Sequence, residues 1–188
     1  MSLLTILQKY SAMDYRNGTD KTTFHSYGPV YEETLRNYKE TATGVLEIGI
    51  ETGSSLAAWS EYFTNATIYG IDILDRRFYK YKSLPNVQVY IGDALTDETI
   101  HHFNTSYDVI IEDASHKPEH QKQHFTDYSK FVKKGGVYII EDIDISNRKS
   151  VFEHVQAIGE PLGFTCVLKD LTSDRSTSDN NMILCFRN

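Results

Sequence analysis

The chain has 188 residues, with 19 basic and 26 acidic side chains for a formal net charge of −7, and it is 40% hydrophobic and 12% aromatic. That length and composition suit a folded domain with a sizeable core. The acidic balance argues against nucleic acid as a partner, because binders of a phosphate backbone present a basic face; one local basic run, Arg76, Arg77, Lys80 and Lys82, stands against this trend. No apolar run reaches the roughly 18 residues of a membrane span. The start, Met1-Ser2-Leu3-Leu4, lacks the charged and long apolar segments of a leader. A cytoplasmic protein with no membrane partner is therefore expected. Cys166 and Cys185 lie in apolar stretches and are expected as buried free thiols.

In chain order, residues 2–10 predict a short amphipathic helix with Leu3, Ile6, Leu7 and Tyr10 on one face. An apolar helix at this end is compatible with a homodimer. Residues 14–31 are polar and tyrosine-rich and read as an ordered loop or lid, with Pro29 opening a helix that carries Tyr31, Leu35 and Tyr38. Strands and helices then alternate. Strands are predicted over 44–49, 67–72, 87–91, 107–112 and 137–141. Helices are predicted over 54–63, 97–103, 118–132 and 149–159, the third with Phe125, Tyr128 and Val132 facing inward. Lys134-Gly135-Gly136 reads as a stop between helix and strand. Two closing strands, 164–168 and 182–186, flank a polar loop at 172–181, and the last is expected to pair antiparallel. Alternation of this kind implies a doubly wound, mostly parallel α/β sheet. A single domain over 1–188 is expected, with 1–40 as a helical lid and 41–188 as the core.

Two β-branched runs end alike. Val109-Ile110-Ile111 leads into Glu112-Asp113-Ala114-Ser115-His116, and Val137-Tyr138-Ile139-Ile140 leads into Glu141-Asp142. Such runs read as strands buried on both faces, and open α/β sheets bind ligands beyond the carboxyl ends of their strands. Crowded carboxylates repel each other and are commonly held by a cation. The first strand ends in Glu47-Ile48-Gly49-Ile50-Glu51-Thr52-Gly53-Ser54, whose spacing departs from the G-x-G-x-x-G dinucleotide fingerprint. Glu51 would repel a pyrophosphate, which favours a cationic or zwitterionic ligand. Asp72 closes the second strand, where a carboxylate can hold ribose hydroxyls. Gly92-Asp93-Ala94 closes the third, where Asp93 can meet an adenine amino group. A lone Asp at any of these places reads more simply as a turn or cap. The ordered set is what carries information.

On these residues the chain resembles class I S-adenosylmethionine-dependent methyltransferases. Val45-Leu46-Glu47-Ile48-Gly49 looks like their first motif and Tyr69-Gly70-Ile71-Asp72 like their ribose-binding motif. Asp113-Ala114-Ser115-His116, then Gly135-Gly136 and Glu141-Asp142, are similar to the metal-dependent macrolide sugar O-methyltransferases and the cephalosporin-hydroxylase-like group. So is Gly18-Thr19-Asp20-Lys21 with His25, Tyr27 and Tyr31. The resemblance implies a seven-stranded Rossmann-like methyltransferase sheet, S-adenosylmethionine as cofactor, and contacts to it from Lys21, Tyr27, Glu47, Gly49, Gly53, Ser54, Asp72, Asp93, Ala94 and Asp113. It assigns Asp113, Glu141 and Asp142 to Mg2+ or a similar dication, an oxygen-rich set suited to a hard cation. It makes His116 the base, a role its ordinary pKa of about 6.5 allows.

The implied reaction is methyl transfer to a hydroxyl of a small molecule, a sugar, glycoside or vicinal diol. Plainer alternatives stand beside it. Glu112 and Asp113 cap the following helix in one of them, and Glu141 and Asp142 are ordinary loop carboxylates. Lys21, His25, Tyr27 and Tyr31 read either as a lid over the sulfonium or as core and surface. His120 and His124 read as packing or surface residues, and Glu112 has no assigned role. The competing functions are a nicotinamide-dependent oxidoreductase, which also uses an acid where Asp72 stands, and a cofactor-binding subunit without turnover.

Overall fold

The computed structural model describes residues 1–12, 17–103, 105–174 and 177–188. Positions 14–16 and 175–176, within the two expected loops, lie outside the described residues. The elements run α1 (Leu3–Tyr10), α2 (Gly28–Leu35), β1 (Gly44–Ile48), α3 (Ser54–Tyr62), β2 (Thr67–Asp72), β3 (Val87–Ile91), α4 (Asp97–His102), β4 (Tyr107–Glu112), α5 (Pro118–Tyr128), β5 (Val132–Ile140), α6 (Arg148–Gly159), β6 (Phe164–Asp170) and β7 (Asn181–Arg187).

Seven strands form one sheet in the order β3-β2-β1-β4-β5-β7-β6. The first five are parallel, and β7 runs antiparallel to both β5 and β6. Every residue of β1 is buried, as is the stretch of β5 from Gly136 to Ile140. This explains why their sequences are apolar without alternation: parallel strands are covered by helices on both faces. The order reverses between β1 and β4, and that switch point is where open α/β sheets leave a crevice. Asp108 fixes the opposite end of the same strand pair. Its carboxylate accepts from the Thr43 and Gly44 amides at 2.8 and 3.0 Å and from Lys133 at 2.9 Å.

Three expectations are corrected. Val132 lies in β5, not on the preceding helix. That helix ends at Tyr128, a single 3-10 turn follows, and the strand continues through Gly135 and Gly136. Gly135 takes a φ of 78° there and the pairing with β4 shifts register, so the glycines shape an irregularity inside the strand and do not stop it. Cys166 and Cys185 are not free thiols. They are register partners on β6 and β7 and form a disulfide; two apolar stretches distant in sequence gave no sign of that pairing. Finally, the apolar face of α1 is used within the chain. Leu3, Ile6 and Leu7 are buried in the same cluster as Tyr31, Leu35, Trp59 and Tyr62 of α2 and α3, so that face gives no argument for a dimer. No described helix is long and apolar enough to cross a membrane.

Candidate active site at the carboxyl ends of β1, β4 and β5

The three central strands stop together, and the chain turns sharply after each. Gly49 follows β1 with a φ of 89°. A Cβ there would collide with the backbone of Asp113, so only glycine lets the β1 and β4 turns meet. Among the described non-glycine residues, Glu51, His116 and Asp142 have positive φ, at 38, 57 and 53°. Each belongs to one of these three turns. Such conformations cost on the order of 1–3 kcal/mol and tend to cluster at functional sites.

The turns bring together a compact charged group. His116 Nε2 lies 3.3 Å from Asp113 Oδ1 and 3.2 Å from Asp142 Oδ2. Asp113, His116 and Asp142 each offer a ligand atom within 4.8 Å of the others. Burial alone would lower the His116 pKa, but the bond to Asp113 and the charges of Asp142 and Asp113 raise it to about 9. Burial and the neighbouring Asp113 push Asp142 above the usual carboxylate range. Asp113 is held below it, because Lys21 and His116 outweigh the effect of burial.

The N-terminal segment forms the back of this group. Lys21 is 1% exposed. Its Nζ donates to Asp113 Oδ2 at 2.6 Å and to Glu141 Oε2 at 2.7 Å, with Glu47 3.9 Å away. Burial would depress its pKa, but those three carboxylates raise it well above the ordinary value. Tyr31 donates to the other oxygen of Glu141. Tyr27 donates to Asp142 Oδ1 at 2.6 Å, and His25 Nε2 approaches the same oxygen at 3.5 Å. Glu141 is thus turned toward Lys21 and Tyr31 and is not part of the Asp113–His116–Asp142 group. Buried behind it, Glu47 accepts from Ser55 at 2.7 Å, and burial raises its pKa to about 7.

Two cavities open on this edge and share Gly49, Glu51, Asp113 and Ala114 in their walls. The larger, about 390 Å³, is lined by Ser54, His116, Asp142, Asp20, Phe24 and His25 among others. The smaller, about 310 Å³, is lined by Asp72, Asp93, Ala94, Arg76, His120 and His124 among others.

Of the residues singled out in the sequence, Gly49, Ser54, Asp72, Asp93, Ala94, Asp113, His116 and Asp142 line these cavities. Lys21, Tyr27, Glu47 and Glu141 stand behind the wall, fully buried. Gly53 starts α3 with a φ of 76° and abuts Arg77 and Tyr81. Asp72 also braces the backbone around it. Its carboxylate accepts from the Ile50, Glu51 and Leu74 amides at 2.9, 3.0 and 3.0 Å, tying β2 to the β1 turn. The charge argument from Glu51 is corrected. Arg76 pairs with it at 3.0 Å across the cavity mouth, so it is not an isolated negative charge. The basic run had pointed at Arg76 without its partner. His124 is buried and bonded to Glu112 at 3.0 Å, and His120 meets Ser115 at 2.7 Å. Asp20 and Phe24 of the expected lid and Asp179 of the polar loop were not singled out individually; only the tertiary fold brings Asp179 from the far end of the chain to this edge.

Comparison with known proteins agrees with this architecture. The chain is 28% identical over 141 residues to the 8-demethyl-8-alpha-L-rhamnosyl tetracenomycin-C 2'-O-methyltransferase of Streptomyces olivaceus, covering 70% of this chain and 36% of that protein. It is 31% identical over 141 residues to the mycinamicin VI 2''-O-methyltransferase of Micromonospora griseorubida, covering 71% of this chain and 35% of that protein. The chain thus spans about a third of the length of these curated relatives. Its fold matches that of the MycE methyltransferase, solved with Mg, SAH and mycinamycin VI, at a TM-score of 0.75 and 22% identity, covering 100% of this chain and 55% of that one. A family profile described as a methyltransferase domain matches residues 46–143, the stretch from β1 through the Glu141-Asp142 turn. The chain belongs to this methyltransferase-domain family.

Proposed function

We propose that this domain transfers a methyl group from S-adenosylmethionine to a hydroxyl oxygen of a small acceptor, a sugar or glycoside, with the help of Mg2+ or a similar divalent cation. The observation that carries this reading is the position of Asp113, in the wall of both cavities, next to His116 and Asp142 in the wall of the larger. The relatives named above are O-methyltransferases, one of them of a rhamnosyl compound, and they lend the nicotinamide alternative no support.

The residues divide that reaction among them. Asp72, Asp93 and Ala94 line the smaller cavity and take the adenosyl half of the cofactor. Gly49 and Ser54 let the methionine half pass close to the β1 turn. The acceptor enters the larger cavity beside His116. The donor would supply an electrophilic methyl, and His116, once a cation takes over its charge on Asp113 and Asp142, would accept the hydroxyl proton. Contacts with two carboxylates fix the imidazole in place, and alignment of this kind supplies much of the rate.

The donor set suits a hard cation: two carboxylates, with Asp142 destabilised as an anion by burial and by Asp113. Such an ion would be held by Asp113 and Asp142 and would supply the positive charge that these carboxylates otherwise draw from the His116 imidazolium, leaving His116 as the base. Lys21, Glu141, Tyr27 and Tyr31 act behind the wall by fixing Asp113 and Asp142.

The test is calorimetry with S-adenosylhomocysteine, followed by transfer of labelled methyl to a panel of simple glycosides with Mg2+ or with EDTA. Micromolar binding and EDTA-sensitive labelling are expected. Tighter binding of NAD would overturn the cofactor assignment, and labelling indifferent to EDTA would remove the cation.

A further inference from the structure

Glu112 and His124 form a buried pair outside the charged group. Glu112 is 1% and His124 3% exposed. Glu112 Oε1 lies 3.0 Å from His124 Nδ1 and also accepts from the Ala114 amide at 3.4 Å. The other oxygen, Oε2, is buried without a hydrogen-bond partner. A carboxylate kept in that state carries a desolvation cost that asks for a reason. Although buried, the His124 ring lines the smaller cavity. Its neighbours there are set by α5. Tyr128, one turn further along the helix, donates to the Ala94 carbonyl at 2.9 Å. This anchors α5 on the Asp93-Ala94 turn and puts His124 next to it.

We propose that His124, oriented by Glu112, is a specificity residue for the adenine ring, its Nε2 accepting a hydrogen bond from the exocyclic amino group. The inference rests on the reading that the smaller cavity takes the adenosyl half of the cofactor. The chemistry follows from the pair. A carboxylate accepts, so in the neutral ring the hydrogen sits on Nδ1 and Nε2 is the acceptor. Nδ1 is taken by Glu112, and the ring lines the smaller cavity. A 6-amino purine offers a donor to that atom, whereas a 6-oxo purine opposes one acceptor to another. His120 is less suited, since its Nδ1 is engaged with Ser115.

The experiment compares S-adenosylhomocysteine with S-inosylhomocysteine by calorimetry on the whole chain. The wild type is expected to prefer the adenosyl ligand. His124→Leu should cut that preference by about three- to tenfold, the worth of one hydrogen bond. Glu112→Gln, which releases the tautomer, should narrow it in the same direction and keeps the test open if the leucine variant folds poorly. A general loss of structure weakens both ligands together and leaves the ratio alone. An unchanged ratio in both variants, with wild-type binding intact, overturns the assignment of His124. A wild type that binds neither ligand defeats the cofactor reading itself, and this inference with it.

Discussion

His116 and Asp142 face each other across the ends of β4 and β5, with Nε2 3.2 Å from the carboxylate and both residues at positive φ. Each turn is strained, and each strain aims a side chain at the same point. In the proposed reaction the two residues divide the work: His116 accepts the proton, and Asp142 with Asp113 holds the cation. His116→Ala should leave S-adenosylhomocysteine binding nearly unchanged while turnover falls about 10²- to 10⁴-fold, the usual contribution of a positioned base. Asp142→Asn should instead weaken Mn2+ binding, read by electron paramagnetic resonance, by about tenfold or more. If His116→Ala loses cofactor affinity and turnover in equal measure, its role is structural.

Lys21 is the buried cation shared by the interior acids Glu47 and Glu141 and by Asp113 at the cavity wall. Replacing it by Met leaves Glu47, Asp113 and Glu141 without their common counter-charge. Breaking a buried ion pair from one side typically costs about 3–5 kcal/mol, and urea unfolding of Lys21→Met should show a loss of that order. A loss below about 1 kcal/mol, the range of exposed pairs, would mean that water replaces the amine without difficulty.

Gly49 makes the close approach of the β1 and β4 turns possible. Gly49→Ala adds a Cβ against the Asp113 backbone at a φ that L residues rarely adopt. The expected cost is above about 2 kcal/mol, accompanied by lost cofactor binding, because relief requires the two turns to part. A variant that melts with the wild type and binds S-adenosylhomocysteine equally well would contradict this packing of the turns.

Asp108 gives a prediction in pH. Burial would raise its pKa, but the Lys133 bond and the Thr43 and Gly44 amides outweigh that and hold it below the usual carboxylate range. A carboxyl depressed by folding stabilises the native state fully above its unfolded value of about 3.9, and that contribution disappears as pH falls through the folded value. Asp108→Asn should therefore destabilise the protein by about 1–3 kcal/mol at neutral pH. The gap between variant and wild type should close below about pH 4. Denaturant melts at several pH values provide the check, and a gap independent of pH would refute the assignment.

Much of the fold was legible because hydrophobic periodicity and turn residues are local signals. The buried β-branched runs at 109–111 and 137–140 needed no tertiary knowledge to be read as central strands, and Asp72, Asp93 and Gly49 were found from their places at strand ends. The Gly135-Gly136 pair misled because a glycine pair in a strand irregularity looks the same in sequence as one in a turn. The Cys166–Cys185 bond was missed because pairing depends on register between β6 and β7, which is not a local property.

The amino-acid sequence by itself determined which chemical groups stand at the carboxyl edge of the sheet: the acids at 47, 72, 93, 113, 141 and 142 and the imidazole at 116. It did so because strand length and strand end are encoded within a few residues. Only the tertiary structure decided how those groups divide. Lys21, far away in the chain, reaches the interior and takes Glu141 and one oxygen of Asp113. That leaves the other oxygen with Asp142 and His116 at the cavity wall. Similarly, Arg76 matches Glu51, and Glu112 turns inward to His124. Carboxylates of one type acquire different roles through the partners that burial puts within hydrogen-bond reach, and such partners come from distant parts of the chain.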